Sequence, residues 1–361
     1  MKINSLILAA AMVFGFAACN EDDGVDNSTR EKSVEVNLSN VNFGARSTGD
    51  KFEDGKNVAL DNIYVLFSDG TSFYKSGQED VEYYFETIPQ DAPVFHLLPA
   101  EVSEVVVIGN VSAELKGELD KSAIRGYADL KGYMDAQIEN QQTVSIDVTN
   151  LIVYGKKEIV PANNGDEHGN NYFTASVEIA PLVARVEIHQ FQFTPGETPA
   201  YTSLELNRLA INNYNAVATF GDNGEYTFEN LVNETINSHT ALPYFAGLGK
   251  DVWSNDFLSI TLDATQIDKY EFPGNAIRYY NVFPPYVAQL ALQLDADGQP
   301  TFLATTKLKN EQGEEISEFK RGYIYTVNFD FTESDLKRPD KCIEVTVTST
   351  PWKVVAVTPE F

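Results

Sequence analysis

The sequence predicts an all-β protein built as two β-sandwiches with one or two short helices. Three observations lead there. Phe (22) and Tyr (18) are abundant while Met (3) is scarce, a bias toward side chains that pack on pleated sheets. Short alternating or β-branched runs recur along the chain, parted by turn signals such as Asp-Gly and Asn-Gly. A break near Pro181 divides these runs into two blocks.

Taken in order, the chain begins with an address. Lys2 supplies a positive start, and residues 6–16 form an apolar run too short to span a bilayer. Residues 1–18 therefore read as a signal peptide. Phe16-Ala17-Ala18-Cys19 resembles a bacterial lipobox, with Phe16 where Leu is usual. That resemblance implies acylation of Cys19 and a lipid anchor in the outer membrane, where multiple chains hold a protein that one would not. An ordinary secretory signal with a chance Cys is the alternative. Asn20-Glu21-Asp22-Asp23 is similar to the acidic export signals of Bacteroidota-type surface lipoproteins, and also fits a plain charged linker. Residues 19–33 read as a lipidated acidic linker.

The first sandwich is expected over 34–180. Val34, Val36 and Leu38 alternate with Glu35, Asn37 and Ser39, the pattern of a half-buried strand. Residues 63–67 run into Asp69-Gly70 and then 72–74, predicting a hairpin with a tight primed turn. Residues 81–88, 105–108 and 143–154 read as strands; 105–108 is apolar on both faces and so central. One helix is expected after Ser122, with Ile124, Tyr127, Leu130 and Met134 on its buried stripe. The second sandwich is expected over 181–361. Its strands are 184–188, followed by Phe191 and Phe193, then 209–211, 217–220, 257–262, 287–294, 302–308, 323–331 and 343–347. Asp222-Asn223-Gly224, Asp297-Gly298 and Gln312-Gly313 mark turns between them.

Composition excludes several functions. The 361 residues carry 53 Asp+Glu against 26 Lys+Arg, a net charge of -27, which repels a phosphate backbone and excludes nucleic acid as partner. Two Cys cannot staple a scaffold; Cys342, in an alternating pattern, reads as a buried inert thiol. His96, His168, His189 and His239 show no metal-ligand spacing, and no catalytic or nucleotide-binding motif occurs. The expectation is a protein that is not an enzyme and has no metal or cofactor. Asp295, Asp297 and Gly298 faintly resemble a calcium loop, but a hairpin turn explains them better. Asn163-Asn164-Gly165-Asp166-Glu167 reads as a surface loop. Trp253, Tyr279, Tyr280, Tyr286 and Trp352 could stack on sugars, although core packing is the simpler role.

Several motifs, in order, resemble one family. They are Val107-Ile108-Gly109-Asn110-Val111, Ala184-Arg185-Val186-Glu187-Ile188, Gly322-Tyr323-Ile324-Tyr325-Thr326-Val327, and Val345-Thr346-Val347-Thr348 with Pro351-Trp352. With the lipobox and the first strand they resemble the fimbrillins, the pilin subunits of type V pili. The resemblance implies two transthyretin-like sandwich domains and a cell-surface fimbrium. It also implies a trypsin-like maturation protease that cuts after an Arg beyond the first strand, which here matches Arg46 in Phe43-Gly44-Ala45-Arg46-Ser47. Arg30 is the alternative, but it precedes the strand. Loss of the first strand, with Val34, Val36, Leu38 and Val41, would open an apolar groove. The implied donor is the C-terminal tail of another subunit, here Trp352, Val354, Val355, Ala356, Val357 and Phe361. Trp352, Val354 and Ala356 fall on one face, and Val355 and Val357 on the other. The same tail could equally rest in its own fold until release. The implied partners are other pilin subunits in a head-to-tail polymer, the protease, outer-membrane lipid through Cys19, and an adhesion receptor. A surface lipoprotein that binds glycans for nutrient uptake, with Trp253 as its platform, is the alternative function.

Overall fold

The computed structural model describes residues 31–42, 57–138, 141, 151–162, 171–232, 256–273, 277–338 and 342–356. The signal peptide, Cys19, Arg30, Arg46, Trp253, the 163–167 loop, Val357 and Phe361 lie outside them. The protein is all-β with few helices, as its aromatic and β-branched composition predicts.

The first half carries β1 (Lys32–Ser39), β2 (Val41–Asn42), β3 (Asn57–Leu60), β4 (Ile63–Ser68), β5 (Phe73–Tyr74), β6 (Tyr84–Phe85), β7 (Val94–Leu98) and β8 (Glu104–Gly109). There follow α1 (Ala113–Asp120), α2 (Tyr127–Ile138), β9 (Val153–Glu158), β10 (Val160–Pro161), β11 (Tyr172–Glu178) and β12 (Ala180–Pro181). Two sheets face each other: one in the order β10-β11-β1-β7, the other β12-β9-β8-β4-β5, with β6 also on β4. Val34, Val36, Phe95, Ala175 and Val177 of the first meet Val65, Phe67, Val105 and Val107 of the second in one core. Every residue of β8 is buried, and β8 lies between β4 and β9, the central position its two-faced apolarity predicts. A Cβ at Gly109 would come within 2.4 Å of Leu60 Cδ1 and Val153 Cγ2 and would force these side chains to shift.

Three local expectations are corrected. The β4–β5 turn is not a two-residue primed turn: Ser68 pairs with Phe73, and only Gly70 has positive φ, at 99°. Asp69 Oδ1 accepts the amides of Thr71 and Ser72 at 2.9 and 2.8 Å, which stabilises a longer loop. Of 81–88 only β6 is strand, because β4 shares one edge between β5 and β6. Ser122 is no helix cap: α2 starts at Tyr127, and Ser122 takes φ 55° just beyond α1. The capping serine is Ser112, whose Oγ accepts the Leu115 amide at 3.2 Å and starts a helix the sequence reading omits. Tyr127, Leu130 and Met134 do form the buried stripe.

The second half carries β13 (Ala184–Thr194), β14 (Ser203–Asn212), β15 (Tyr214–Phe220), β16 (Tyr226–Val232), β17 (Asp256–Asp263), β18 (Asp268–Glu271), β19 (Arg278–Val282) and β20 (Gln289–Ala296). It continues with β21 (Gln299–Lys309), β22 (Tyr323–Thr332), α3 (Glu333–Lys337), β23 (Cys342–Pro351) and β24 (Lys353–Ala356). Nine strands form one sheet, β17-β14-β20-β21-β23-β22-β13-β18 with β19 also on β13. Both ends of this sheet feed a single core, with Val186, Ile188, Phe191 and Phe329 from one side and Leu204, Leu206 and Leu292 from the other. The sheet is thus folded over on itself. Bulges at Leu206/Arg208, Thr305/Lys307 and Ile188/Gln190 supply the bending. Asp297 and Gly298, at φ 49° and 81°, make the predicted hairpin turn. Asp297 Oδ1 accepts from the Thr202 and Ser203 amides at 3.1 and 3.0 Å.

The β15–β16 hairpin joins the halves. Lys131 Nζ donates to Phe220 O at 2.6 Å, the Phe220 amide donates to Asp135 Oδ1 at 2.7 Å, and Tyr154 Oη donates to Gly224 O at 2.7 Å. Gly224, at φ 73°, sits where a Cβ would meet Tyr127 Cε1 at 2.4 Å, so the hairpin tip needs glycine.

Candidate assembly site

The first strand is an interior strand. β1 runs parallel to β11 from Ser33↔Tyr172 to Ser39↔Glu178 and antiparallel to β7. The Ser33 amide donates to Asn171 O at 2.9 Å and the Val36 amide to Pro93 O at 3.0 Å. Val34 (0%) and Val36 (1%) are fully buried, and Leu38 and Val41 pack half-buried against the same core. Each buried Val contributes about 1.5–3 kcal/mol. Without β1, β7 and β11 would each present unpaired backbone across an apolar slot.

The tail occupies a second slot. β24 lies between β2 and β3, parallel to both, with Val41↔Val354 and Asn42↔Val355 on one side and Lys353↔Asn57 through Ala356↔Leu60 on the other. Trp352 and Val354 are both 0% exposed and belong to the first-half core, on one face as the alternation predicts. The tail is therefore seated within its own chain here. Asn40 is the junction of the two slots. At φ 66° it turns the chain out of β1, an angle Asn tolerates better than most residues. Its Nδ2 donates to Ile179 O at 3.2 Å and Trp352 O at 3.4 Å. Its carbonyl accepts the Val354 amide at 3.4 Å.

Trp352 is seated on a buried charge. Arg185 is 1% exposed; its guanidinium carbon lies 3.9 Å from the centre of Tyr279 and 5.4 Å from that of Trp352. Arg185 Nε donates to Glu187 Oε1 at 2.6 Å, and His189 Nε2 lies 2.9 Å from Glu187 Oε2. Burial alone pushes the Glu187 carboxyl up. The hydrogen bond from His189 and the Arg185 charge outweigh it and hold the group below the usual carboxylate range. Arg185 Nη1, Asn281 Oδ1 and Trp352 Nε1 are buried without hydrogen-bond partners among the described residues, which is costly for each.

Sequence reasoning missed Asn40, the role of Arg185 as the Trp seat, and β3. The signals were present: an Asn beside a break in alternation, an Arg inside an apolar strand, and the run Val58-Ala59-Leu60. Of the aromatics considered as a sugar platform, Trp352, Tyr279 and Tyr280 are buried and Tyr286 is 43% exposed. Cys342 is half-buried rather than fully enclosed. An open cleft of about 770 Å³ is lined by Tyr64, Tyr83, Tyr84, Phe85, Lys116 and Asp120, among others; Lys116 Nζ sits 4.6 Å from the centre of Tyr84. No group of His, Cys, Asp and Glu suited to a metal ion occurs among the described residues. Nor is any helix among them long and apolar enough to cross a membrane.

Fold and slots together define a class: an all-β protein whose first described strand is interior and whose tail is docked between the two strands that follow it. No family model matches the chain, and no curated protein matches it. Among solved structures it is similar to a candidate cell adhesion protein from Parabacteroides distasonis, at 15% identity and TM-score 0.48, covering 91% of this chain and 98% of that one. It is similar to a fimbrilin from Porphyromonas gingivalis at 14% identity and TM-score 0.46, covering 90% and 99%. It is also similar to a tip fimbrial protein of Porphyromonas gingivalis with a C-terminal truncation, at 11% identity and TM-score 0.41, covering 90% and 100%. Likenesses of this size bear no functional weight, which falls on the chain's own residues and their placement.

Proposed function

We propose that the chain is a structural subunit of a surface fimbria, a fimbrillin-like pilin exported as a lipoprotein and polymerised by protease-triggered donor-strand exchange. The observation that carries this reading is the interior position of β1 between β7 and β11. An end segment with 0–1% exposed valines can be lost as a unit and replaced by an apolar strand from another copy. Cys19 anchors the precursor to the outer membrane, Arg46 takes the cut, and the tail from Trp352 to Phe361 is the donor. Such a contact is head-to-tail and propagates instead of closing. Partners are other subunits, a trypsin-like protease and an adhesion receptor. Limited trypsin treatment should yield a chain starting at Ser47 by mass spectrometry, followed by SDS-resistant ladders. A chain cut at Ser47 that stays monomeric at high concentration refutes polymerisation.

A second reading, glycan binding by a surface lipoprotein, is favoured by the aromatic lining of the 770 Å³ cleft. Affinity electrophoresis on polysaccharides tests it. Retardation lost in Tyr84→Ala or Trp253→Ala supports it, and unretarded parent protein removes it.

A further inference from the structure

We infer that the segment carrying β1 and β2 is a latch on the C-terminal tail: one loss of residues 31–42 opens the groove between β7 and β11 and unfastens residues 352–356 together. The inference deepens the assembly reading by naming how its site is regulated, and takes from that reading only that the segment is removed.

The tail strand has two neighbours of different origin. β3 belongs to the body and stays. β2 belongs to the removable segment. Asn40 adds two more ties from that segment, through the Val354 amide and Trp352 O. The segment is thus an interior strand of one sheet and an outer strand of the next, and its left-handed residue lets it step between them. With it gone, β24 is a four-residue strand on a single neighbour, below what two-stranded pairing sustains in water.

What remains is the pairing with β3, the buried Val354 side chain and the Trp352 seat. The Trp352 amide donates to Gly322 O at 2.7 Å, and the indole rests by Arg185. Three buried polar atoms there lack partners among the described residues, a cost that falls when the indole leaves and water enters. The bonds of the β15–β16 hairpin to α2 and β9 do not involve the segment, so the tail loosens while the halves stay joined. The device keeps acceptor and donor closed together, so an uncut precursor can neither receive a strand nor give one.

The test is hydrogen exchange read by mass spectrometry on the full secreted chain, in a Trp253→Phe background so that fluorescence reports Trp352 alone. Asn40→Gly keeps the left-handed backbone and deletes the amide. Amides of residues 352–356 should exchange on the order of tenfold faster in this variant. They should exchange faster still in trypsin-cut protein freed of its segment, with Trp352 emission shifted to the red. Adding back a peptide of residues 31–42 should restore protection, while α2 amides stay constant throughout. Equal tail protection in uncut and segment-free protein overturns the latch, as does an acceleration in Asn40→Gly that spreads equally through α2. A loosened tail in cut protein that never polymerises upholds the latch and overturns the assembly reading. Ladders from cut protein whose monomer keeps its tail protection overturn the latch alone.

Discussion

Replacing Arg185 with Met tests the buried array beneath the tail. Arg185→Met keeps the length of the aliphatic stem and removes the charge. Glu187, 2% exposed, then loses its 2.6 Å partner and keeps His189 at 2.9 Å; the rings of Tyr279 and Trp352 lose the cation against them. Breaking a buried pair by removing one member costs about 3–5 kcal/mol, enough to lower Tm by on the order of 10 °C. The pH dependence follows from Glu187. In the parent its carboxyl lies below the ordinary value. Its stabilising share is therefore full above the unfolded pKa of about 4.3 and is lost as pH falls through the lowered one. In the variant burial is opposed by His189 alone, so the carboxyl rises from its place in the parent. Its penalty is then largest at neutral pH and fades as acid protonates it. Urea unfolding of parent and variant at neutral pH and near pH 4 should show a wide gap that narrows in acid. A gap under about 1 kcal/mol at neutral pH, or one unchanged by pH, refutes the argument that the charge pair carries this region.

Three further outcomes are expected. Gly224→Ala should cost about 2–4 kcal/mol in denaturant unfolding, since a Cβ at φ 73° would meet Tyr127 at 2.4 Å; an unchanged midpoint would mean the hairpin tip relaxes freely. Val36→Ala removes two methyls from a site 1% exposed and should cost about 2 kcal/mol, read by the same assay; Glu35→Ala, on the half-buried side of β1, should cost less. Glu333 accepts the Gly196 and Ala200 amides at 3.2 and 3.0 Å and pairs with Lys337. Chiefly through the Lys337 bond, its carboxyl is lowered to about 2. Its contribution is present above the unfolded value and lost as pH falls toward 2, so Glu333→Gln should unfold at higher pH in an acid titration followed by circular dichroism.

Much of the strand inventory was legible because alternation and turn chemistry are local. The Asp297-Gly298 and Asp222-Asn223-Gly224 hairpins, central β8 and the long β13 and β22 follow from their own residues. The misplaced parts fail for one reason. Residues 81–88 have strand composition, but β4 has room on that edge for only two residues of β6. Ser122 has the chemistry of a helix cap, but Ser112 and Tyr127 are where the helices start. Edge space and helix starts depend on neighbours that a local pattern does not contain.

The candidate site divides the same way. The valines of β1 and the two-faced apolarity of the tail can be read along the chain, because side-chain alternation fixes faces wherever a strand forms. That β1 is interior, that the tail lies between β2 and β3, and that Asn40 touches both are facts of tertiary structure alone. The tie from Asn40 to Trp352 joins residues 312 positions apart. Backbone pairing is made of N–H and C=O groups that every residue carries, so the sequence marks a strand without naming its neighbour; only the fold assigns that neighbour, through the packing of the cores beneath.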